Sequence, residues 1–481
     1  MNETDTKIKK TETRHSTWRY ASNATFQIPT TLLGATQGIY LYFYYFNVLG
    51  LNPFLIFLAL SIFTVYDAVN DPLIGFLVDR NTRLTKRWGR RFPWIAIGII
   101  PWCLAIYLIF SAPGVDPAMN PWPVFFWLLM SLFVFDTFGS LIGVNVMALR
   151  PDLFRTEAER QKLTYWWTPL DMIAQAIGFI VPPLFLIGGN TRPAFALMGA
   201  MIAVVAIVGA LLFLPGTQED EIVKERYFSG EYERMNFFRG IWEVIKLRSF
   251  IIFFIALNVF SIATSMLMAN APFINTFLLQ ASPGDEFIIF VIFILGAFIS
   301  VPFWIRYLRK VQNNKKVLTI GGILLSVTLF PLTFFQTTID LYIMLFILGL
   351  AMGSMWCFFY TIIQASVVDD FVATTKKNQK GILLGVSILL GRLVATVDEG
   401  IFALVHTLTG FPAGEETYAG LVAAVTAAGG DLNLVLFGIR LLFGIIPCVI
   451  LLAGTFVFWK YFPLTQDKVL ENKKILEELG F

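Results

Sequence analysis

About twelve stretches of this chain are long and apolar enough to cross a lipid bilayer, and that excludes most folds at once. A helix needs about 20 apolar residues to span the hydrocarbon core. Inside that core only helices and closed barrels satisfy their own backbone. The runs fall near residues 22–48, 53–78, 92–112, 122–147, 165–187, 194–214, 250–279, 286–308, 316–336, 340–368, 381–407 and 432–460. Each is far longer than the ~9–11 residues of a spanning barrel strand, so the expected class is an all-α membrane protein. Composition agrees, with 57% hydrophobic and 14% charged residues against about 25% charged in soluble proteins. Cys103, Cys357 and Cys448 all lie in apolar runs. They read as small buried hydrophobes rather than a disulfide framework or metal site.

The loops alternate in charge. Arg80, Arg83, Lys86, Arg87, Arg90 and Arg91 crowd the loop after the second run. Basic residues recur at Arg150, Arg155, Arg160 and Lys162, at Arg306, Arg309, Lys310, Lys315 and Lys316, and at Lys376, Lys377 and Lys380. The short loops on the other side hold only Arg192. Positive loops stay inside, so a multi-pass protein of the cell (inner or plasma) membrane is expected, with both termini cytoplasmic. The N-terminal tail lacks the h-region and cleavage site of a signal peptide. A polar segment at 215–249 separates six runs from six. The expected domains are therefore an N-terminal six-helix bundle over 1–214, a cytoplasmic linker over 215–249, and a C-terminal six-helix bundle over 250–481. Within the linker, Phe237 to Leu247 suits a short amphipathic helix on the inner membrane surface.

Asp67 and Asp71 stand one helical turn apart in a run that is otherwise apolar from Leu51 to Val78. A carboxylate near the bilayer centre costs roughly 2.5–3.5 kcal/mol on insertion scales, and two at i and i+4 repel each other. Such a pair points to a cation bound for part of a working cycle. Asn70 lies between them and adds an amide oxygen, completing a set suited to a hard cation such as Na⁺. Burial beside a like charge penalises double ionisation, which leaves a proton as the alternative coupling ion. The competing structural reading is a packing role, with the aspartates bonded to neighbouring backbone or Arg side chains.

The segment YDAVNDPLIGFLVDR, followed by RWGRRFPW, resembles the signature of the glycoside–pentoside–hexuronide:cation symporter family, a melibiose-permease-like branch of the major facilitators. The match rests on Asp67, Asn70, Asp71, Pro72, Gly75, Asp79, Arg80, Trp88, Gly89, Arg90, Arg91 and Pro93. Further matches are Pro151–Asp152–Leu153, Glu159–Arg160, Val367–Val368–Asp369 and Gly438–Ile439–Arg440. The loop between Arg80 and Trp88 is slightly longer than the family's. The resemblance implies a major facilitator fold of 12 transmembrane helices in two six-helix bundles. It also implies a cation site of Asp67, Asn70, Asp71 and a hydroxyl from the fourth span, where Ser140 stands. Na⁺, if it is the coupling ion, would then be ligated by Asp67 and Asp71. Arg392, in the eleventh span, stands where the family usually has a Lys facing the acidic pair, so it is expected as the charge partner and as a candidate substrate contact. Asp79, Arg80, Arg90 and Arg91 are expected in gating, and Arg440 in structural bracing.

The chain departs from the family's sugar site. Thr31 and Gly143 occupy the positions of the two acidic sugar ligands, while Gln27 and an unusual Asp171 offer replacements. The aromatic residues Trp356, Tyr360, Trp166 and Trp167 are available for stacking, with Trp356 and Tyr360 taken as substrate candidates. The expected function is a secondary active transporter coupling Na⁺ or H⁺ to uptake of a sugar, glycoside or related glycoconjugate. A lysophospholipid-type cation-coupled transporter is the alternative, because the animal lipid-transporting relatives also lack the paired sugar aspartates. A membrane-embedded enzyme or scaffold is the remote third. No enzymatic activity is expected, because the chain has only two His, His15 and His406, and no soluble domain. The expected partners are a small-molecule substrate and the lipid bilayer. No cofactor beyond the coupling ion and no nucleic acid is expected, and the chain is expected as a monomer.

Overall fold

Every regular element is helical, with no strand among the described residues. In the computed structural model these are residues 15–478, apart from 79–82, 155, 221–241, 243, 312, 359–362, 377–382, 384–385, 388–389, 393 and 395. The chain divides into two units. The first is Met1–Tyr232 with two short segments from far along the chain, Ser282–Phe287 and Ala413–Glu416. The second is Glu233–Ala281, Ile288–Pro412 and Thr417–Phe481.

The first unit holds α1 (Thr17–Ala24), α2 (Gln27–Phe43), α3 (Pro53–Val78), α4 (Arg83–Trp88), α5 (Phe92–Ile109), α6 (Trp122–Leu153), α7 (Glu157–Leu184) and α8 (Arg192–Phe213). Local chemistry starts these helices. Thr156 and Glu159 form a capping box at α7, each side chain satisfying the other's backbone N–H at 3.2 Å. Thr191 accepts from the Ala194 N–H at the start of α8. Within the unit α2 packs on α7 and α8, α3 on α6, and α5 on α6 and α8. Helix α3 shows how the lipid environment inverts the usual amphipathic plan. Val65, Val69, Leu73 and Leu77, four apart, form an exposed apolar stripe, while Asp67 and Asn70 are buried. Lipid takes the greasy face, and the interior takes the polar one.

The second unit holds α9 (Arg248–Ala269), α10 (Glu286–Val311, whose first residues belong to the first unit), α11 (Asn314–Leu329), α12 (Thr338–Phe358), α13 (Gln364–Thr375), α14 (Val397–Thr409), α15 (Tyr418–Ala427), α16 (Leu432–Phe443), α17 (Ile445–Tyr461) and α18 (Gln466–Glu478). The twelfth run is one span broken at Gly444. A Cβ there would collide with the Thr333 hydroxyl, so only glycine permits this approach. Arg440 clamps the same junction by donating to the Thr333 and Phe335 carbonyls at 3.2 and 2.7 Å. That is the bracing role expected for Arg440.

Among the described residues nine helical stretches are long and apolar enough to span a membrane. Helices α2 and α7 occupy the first and fifth runs and carry more polar residues. The eleventh run lies partly outside the described residues, with α14 as its clearest portion, and most of the expected amphipathic linker helix lies outside them too. The short helices α1, α15 and α18 were not among the expected spans.

An internal repeat absent from the letters of the sequence is present in the hydrogen bonds. Helix α2 ends in a π-turn, Tyr44–Val48, where Leu49 N–H bonds the Tyr44 carbonyl and Leu51 N–H the Tyr45 carbonyl, both at 2.9 Å. Beyond α9, a π-turn at Ile274–Leu278 repeats the pattern: Leu279 bonds Ile274 and Ala281 bonds Asn275, at 2.9 and 3.0 Å. The opening span of each half therefore terminates in the same way. Such π-turns occur frequently at functional sites.

Candidate functional site

The polar seam between α3 and α6 is set by an aromatic pin. Tyr66 stacks on Phe133 with ring centroids 4.1 Å apart, and its hydroxyl meets that of Thr137 at 2.6 Å. This contact fixes the register of the two helices, and the polar groups follow within a turn. Asn70 donates to Asp136 Oδ2 at 2.8 Å, and Ser140 donates to Asp136 Oδ1 at 3.5 Å. Asp71 lies close enough to Ser140 and Asp136 to interact with both. Asp67, Asn70, Asp136 and Ser140 are each no more than 9% exposed. Of the four residues expected as the cation site, Asn70, Asp71 and Ser140 meet around Asp136, and Asp67 is buried one turn before Asp71 on α3.

Asp136 is absent from the sequence-derived set. Its signal was available: it is the only charged residue of α6 before Arg150, and Ser140 follows it by one turn. The seam offers carboxylate, amide and hydroxyl oxygens, the ligand chemistry of a hard monovalent or divalent cation. Among the described residues no three His, Cys, Asp or Glu side chains converge tightly enough to hold a metal ion by themselves. A cation in this seam would therefore draw on Asn70 or Ser140 as well as on the carboxylates.

A second polar group joins α2 to α7. Gln27 donates to Asp171 Oδ1 at 2.7 Å, Thr31 donates to the same oxygen at 2.9 Å, and Gln175 reaches Oδ2 at 3.4 Å. The structure therefore brings Gln27, Thr31 and Asp171 together and adds Gln175. Gly143, three residues past Ser140 on α6, faces open space, since an added Cβ there would meet no atom within 4 Å. Trp167 serves a different end, because the Arg150 guanidinium lies over its ring at 4.2 Å and bonds Asn23 Oδ1 at 3.0 Å.

The second unit has an open, largely apolar cavity of its own, about 290 Å³ in volume, with polar residues on two sides. Asn258, Ser261 and Ser265 of α9 line one wall, at helical spacing, and Ser387, Gly391 and the buried Asp398 line the other. Arg392 belongs to this unit, half-buried and one residue beyond Gly391. Thr396, with φ −99° and ψ 5°, interrupts the helix before α14. The side chain of Trp356, and Tyr360, Asp79 and Arg80 altogether, lie outside the described residues.

The remaining gating candidates, Arg90 and Arg91, act first through their backbone. The Arg90, Arg91 and Phe92 N–H groups all donate to the Glu219 carboxylate, at 2.9, 2.5 and 3.0 Å. Glu219 follows α8 and so caps the N-terminus of α5, where unpaired N–H groups and the helix dipole favour an anion. Asp220, next in sequence, pairs with Arg19 at 2.5 Å. The Arg91 guanidinium bonds Asn145 at 3.4 Å. The basic loop is thus stapled to the beginning of the linker.

Known proteins resemble the chain along most of its length. It is 24% identical over 489 residues to the sodium-dependent lysophosphatidylcholine symporter 1-B of Danio rerio, covering 94% of this chain and 87% of that protein. The inner membrane symporter YicJ of Escherichia coli is 26% identical over 176 residues, 36% of each chain. Among solved structures, the D-xylose-proton symporter superposes with TM-score 0.59 at 12% identity, covering 93% of this chain and 97% of its own. The nucleoside transporter NupG superposes with TM-score 0.56 at 15% identity, covering 92% and 98%. These likenesses establish the major facilitator fold. The chain belongs to the MFS/sugar transport protein family, whose model matches residues 22–466.

Proposed function

We propose that this cation-coupled symporter uses Na⁺ to drive uptake of a lysophospholipid by alternating access. The observation that carries the coupling is the α3–α6 seam, where Asn70 and Ser140 hold Asp136 beside Asp71. Buried carboxylates repel one another until a cation joins them. Cation binding therefore changes the energy of the seam by several kcal/mol, which is the differential that can bias one conformation over another. The lysolipid reading is supported by a relative named as a lysophosphatidylcholine symporter that aligns along 94% of the chain, whereas YicJ aligns with 36% of it. The loss of both acidic sugar ligands, at Thr31 and Gly143, points the same way. In the second unit, the half-buried Arg392 follows Gly391 of the cavity lining, and its guanidinium would offer a planar donor fork to a phosphate.

A sugar remains the second reading, favoured by the Gln27–Thr31–Asp171–Gln175 group, whose amides and hydroxyl suit a hydroxylated ligand. Those groups already bond one another, so a sugar would have to displace internal hydrogen bonds. Uptake of labelled lysophosphatidylcholine and of a panel of sugars into proteoliposomes, with and without a Na⁺ gradient, separates the two. The lysolipid is expected to accumulate only with Na⁺. Arg392→Lys is expected to raise its KM about tenfold while keeping the Na⁺ dependence, since Lys retains the charge and loses the fork. Accumulation of a sugar alone would reject the lysolipid. Equal uptake driven by a proton gradient without Na⁺ would reject sodium as the coupling ion.

The same reading places both termini in the cytoplasm, on the charge asymmetry of the loops. A single cysteine at Asn120 is expected to react with an impermeant thiol reagent in intact cells, and one at Lys316 is expected to stay unlabelled. The opposite pattern would invert the topology.

A further inference from the structure

The C-terminal helix roofs a second cavity in the second unit, unrelated to the polar wall above. Buried hydrogen bonds fix the roof. Asn472 of α18 donates to Asp370 Oδ1 at 2.9 Å, and Ser249 donates to the other oxygen of Asp370 at 2.5 Å. All three residues are at most 7% exposed. Helix α18 packs on α13 as a result. The turn before α18 is held independently, because the Lys315 ammonium donates to the Phe462 carbonyl at 2.7 Å. Between these fixed points lies a space of about 280 Å³.

Its chemistry is one-sided. Lys315, Lys473, Asn314 and Gln466 supply donors around an apolar floor that includes Phe462 and Leu470, and no carboxylate among the described residues lines it. The ion pair of Lys468 with Glu471 on α18, at 3.0 Å, involves neither lining lysine. The level of the cavity is marked by the end of α17. Trp459 and Tyr461 are exposed there, and the Lys460 ammonium lies 5.4 Å from the Tyr461 ring. Exposed Trp and Tyr with flanking Lys mark the headgroup layer of a bilayer. Leu470, which lines the cavity, is itself 52% exposed.

We propose that this cavity binds the headgroup of an anionic membrane phospholipid. Lys315 and Lys473 take the phosphate, and an acyl chain leaves over Leu470 into the bilayer. The Lys315 ammonium spends one N–H on Phe462 and keeps two for a ligand. The space is large enough for a phosphoglycerol headgroup and too small for a whole lipid, so the chains must lie outside. An occupant would tie α18 to the membrane through the loop before α11. This site is independent of the transported substrate, and binding is read without transport.

The test is retention and stabilisation in the purified full-length protein. Delipidated protein is titrated with phosphatidylglycerol, phosphatidylcholine or inorganic phosphate, with binding read by native mass spectrometry and by thermal stability. Phosphatidylglycerol is expected to bind and stabilise more than phosphatidylcholine. Lys473→Gln and Lys315→Gln are each expected to weaken it about fivefold. The exposed Lys474→Gln, outside the lining, is the folding and charge control and is expected to bind as the wild type does. Equal binding by the wild type and the Lys473→Gln variant, or equal weakening by Lys474→Gln, would overturn the site. Equal effects of the two lipids would reduce the cavity to an apolar groove and overturn the headgroup assignment. Full stabilisation by inorganic phosphate alone would make it a free-anion site and refute the lipid.

Discussion

Asp136→Asn is expected to weaken Na⁺ activation of uptake by roughly 10- to 150-fold while leaving the protein folded. The range follows from about 1.5–3 kcal/mol for a hydrogen bond or ligand contact to a charged group. The fold should survive because an amide at this position still accepts from Asn70, which now bonds the carboxylate at 2.8 Å. Asp71→Asn is expected to do at least as much damage, since Asp71 lies beside Asp136 and Ser140. Exchange of substrate down its own gradient should persist better than gradient-driven accumulation, because coupling is lost before binding. The measurement is initial uptake against Na⁺ concentration for wild type, Asp67→Asn, Asp71→Asn and Asp136→Asn, with exchange measured in parallel. A wild-type Na⁺ response in Asp136→Asn would reduce Asp136 to a helix-packing residue and return the site to the set legible in the sequence.

A residue is legible in the sequence when its energetic cost leaves a mark in neighbouring letters. Two carboxylates a turn apart in a lipid-length apolar run are costly enough to announce themselves, so local sequence alone singles out Asp67, Asn70 and Asp71. Asp136 carries the same cost, but its partner Asn70 lies 66 residues earlier. No spacing rule connects them. The Gln27–Thr31–Asp171 group follows from a resemblance that marks vacated positions, and hydrogen bonds join its members in the folded chain. The matching π-turns after α2 and α9 are hidden for another reason. They share backbone hydrogen bonds, while the segments YYFNV and INTFL share almost no side chains. Glu219 is the least visible of all. It sits in a polar, mixed-charge linker, where a carboxylate reads as solvated, and its partners are backbone N–H groups that no sequence letter encodes.

That hidden contact carries the largest expected effect on stability. Gly89 has φ +99°, a conformation that L side chains rarely adopt, and a Cβ there would collide with the Glu219 carboxyl group. Gly89→Ala therefore combines backbone strain of about 1–2 kcal/mol with displacement of the carboxylate that caps α5. Glu219→Ala removes the cap alone and leaves the Arg90, Arg91 and Phe92 N–H groups without their acceptor, at a cost of about 2–4 kcal/mol. Glu219→Gln keeps one carbonyl oxygen where Arg91 and Phe92 converge and should recover part of the loss. The expected order of thermal stability in detergent is wild type, Glu219→Gln, Glu219→Ala, Gly89→Ala. The double variant Gly89→Ala with Glu219→Ala should be less destabilised than the sum of its parts, because removing the carboxylate also removes the clash. Additive losses would mean that the two residues act separately, and the staple between the basic loop and the start of the linker would then not be what holds α5 in place.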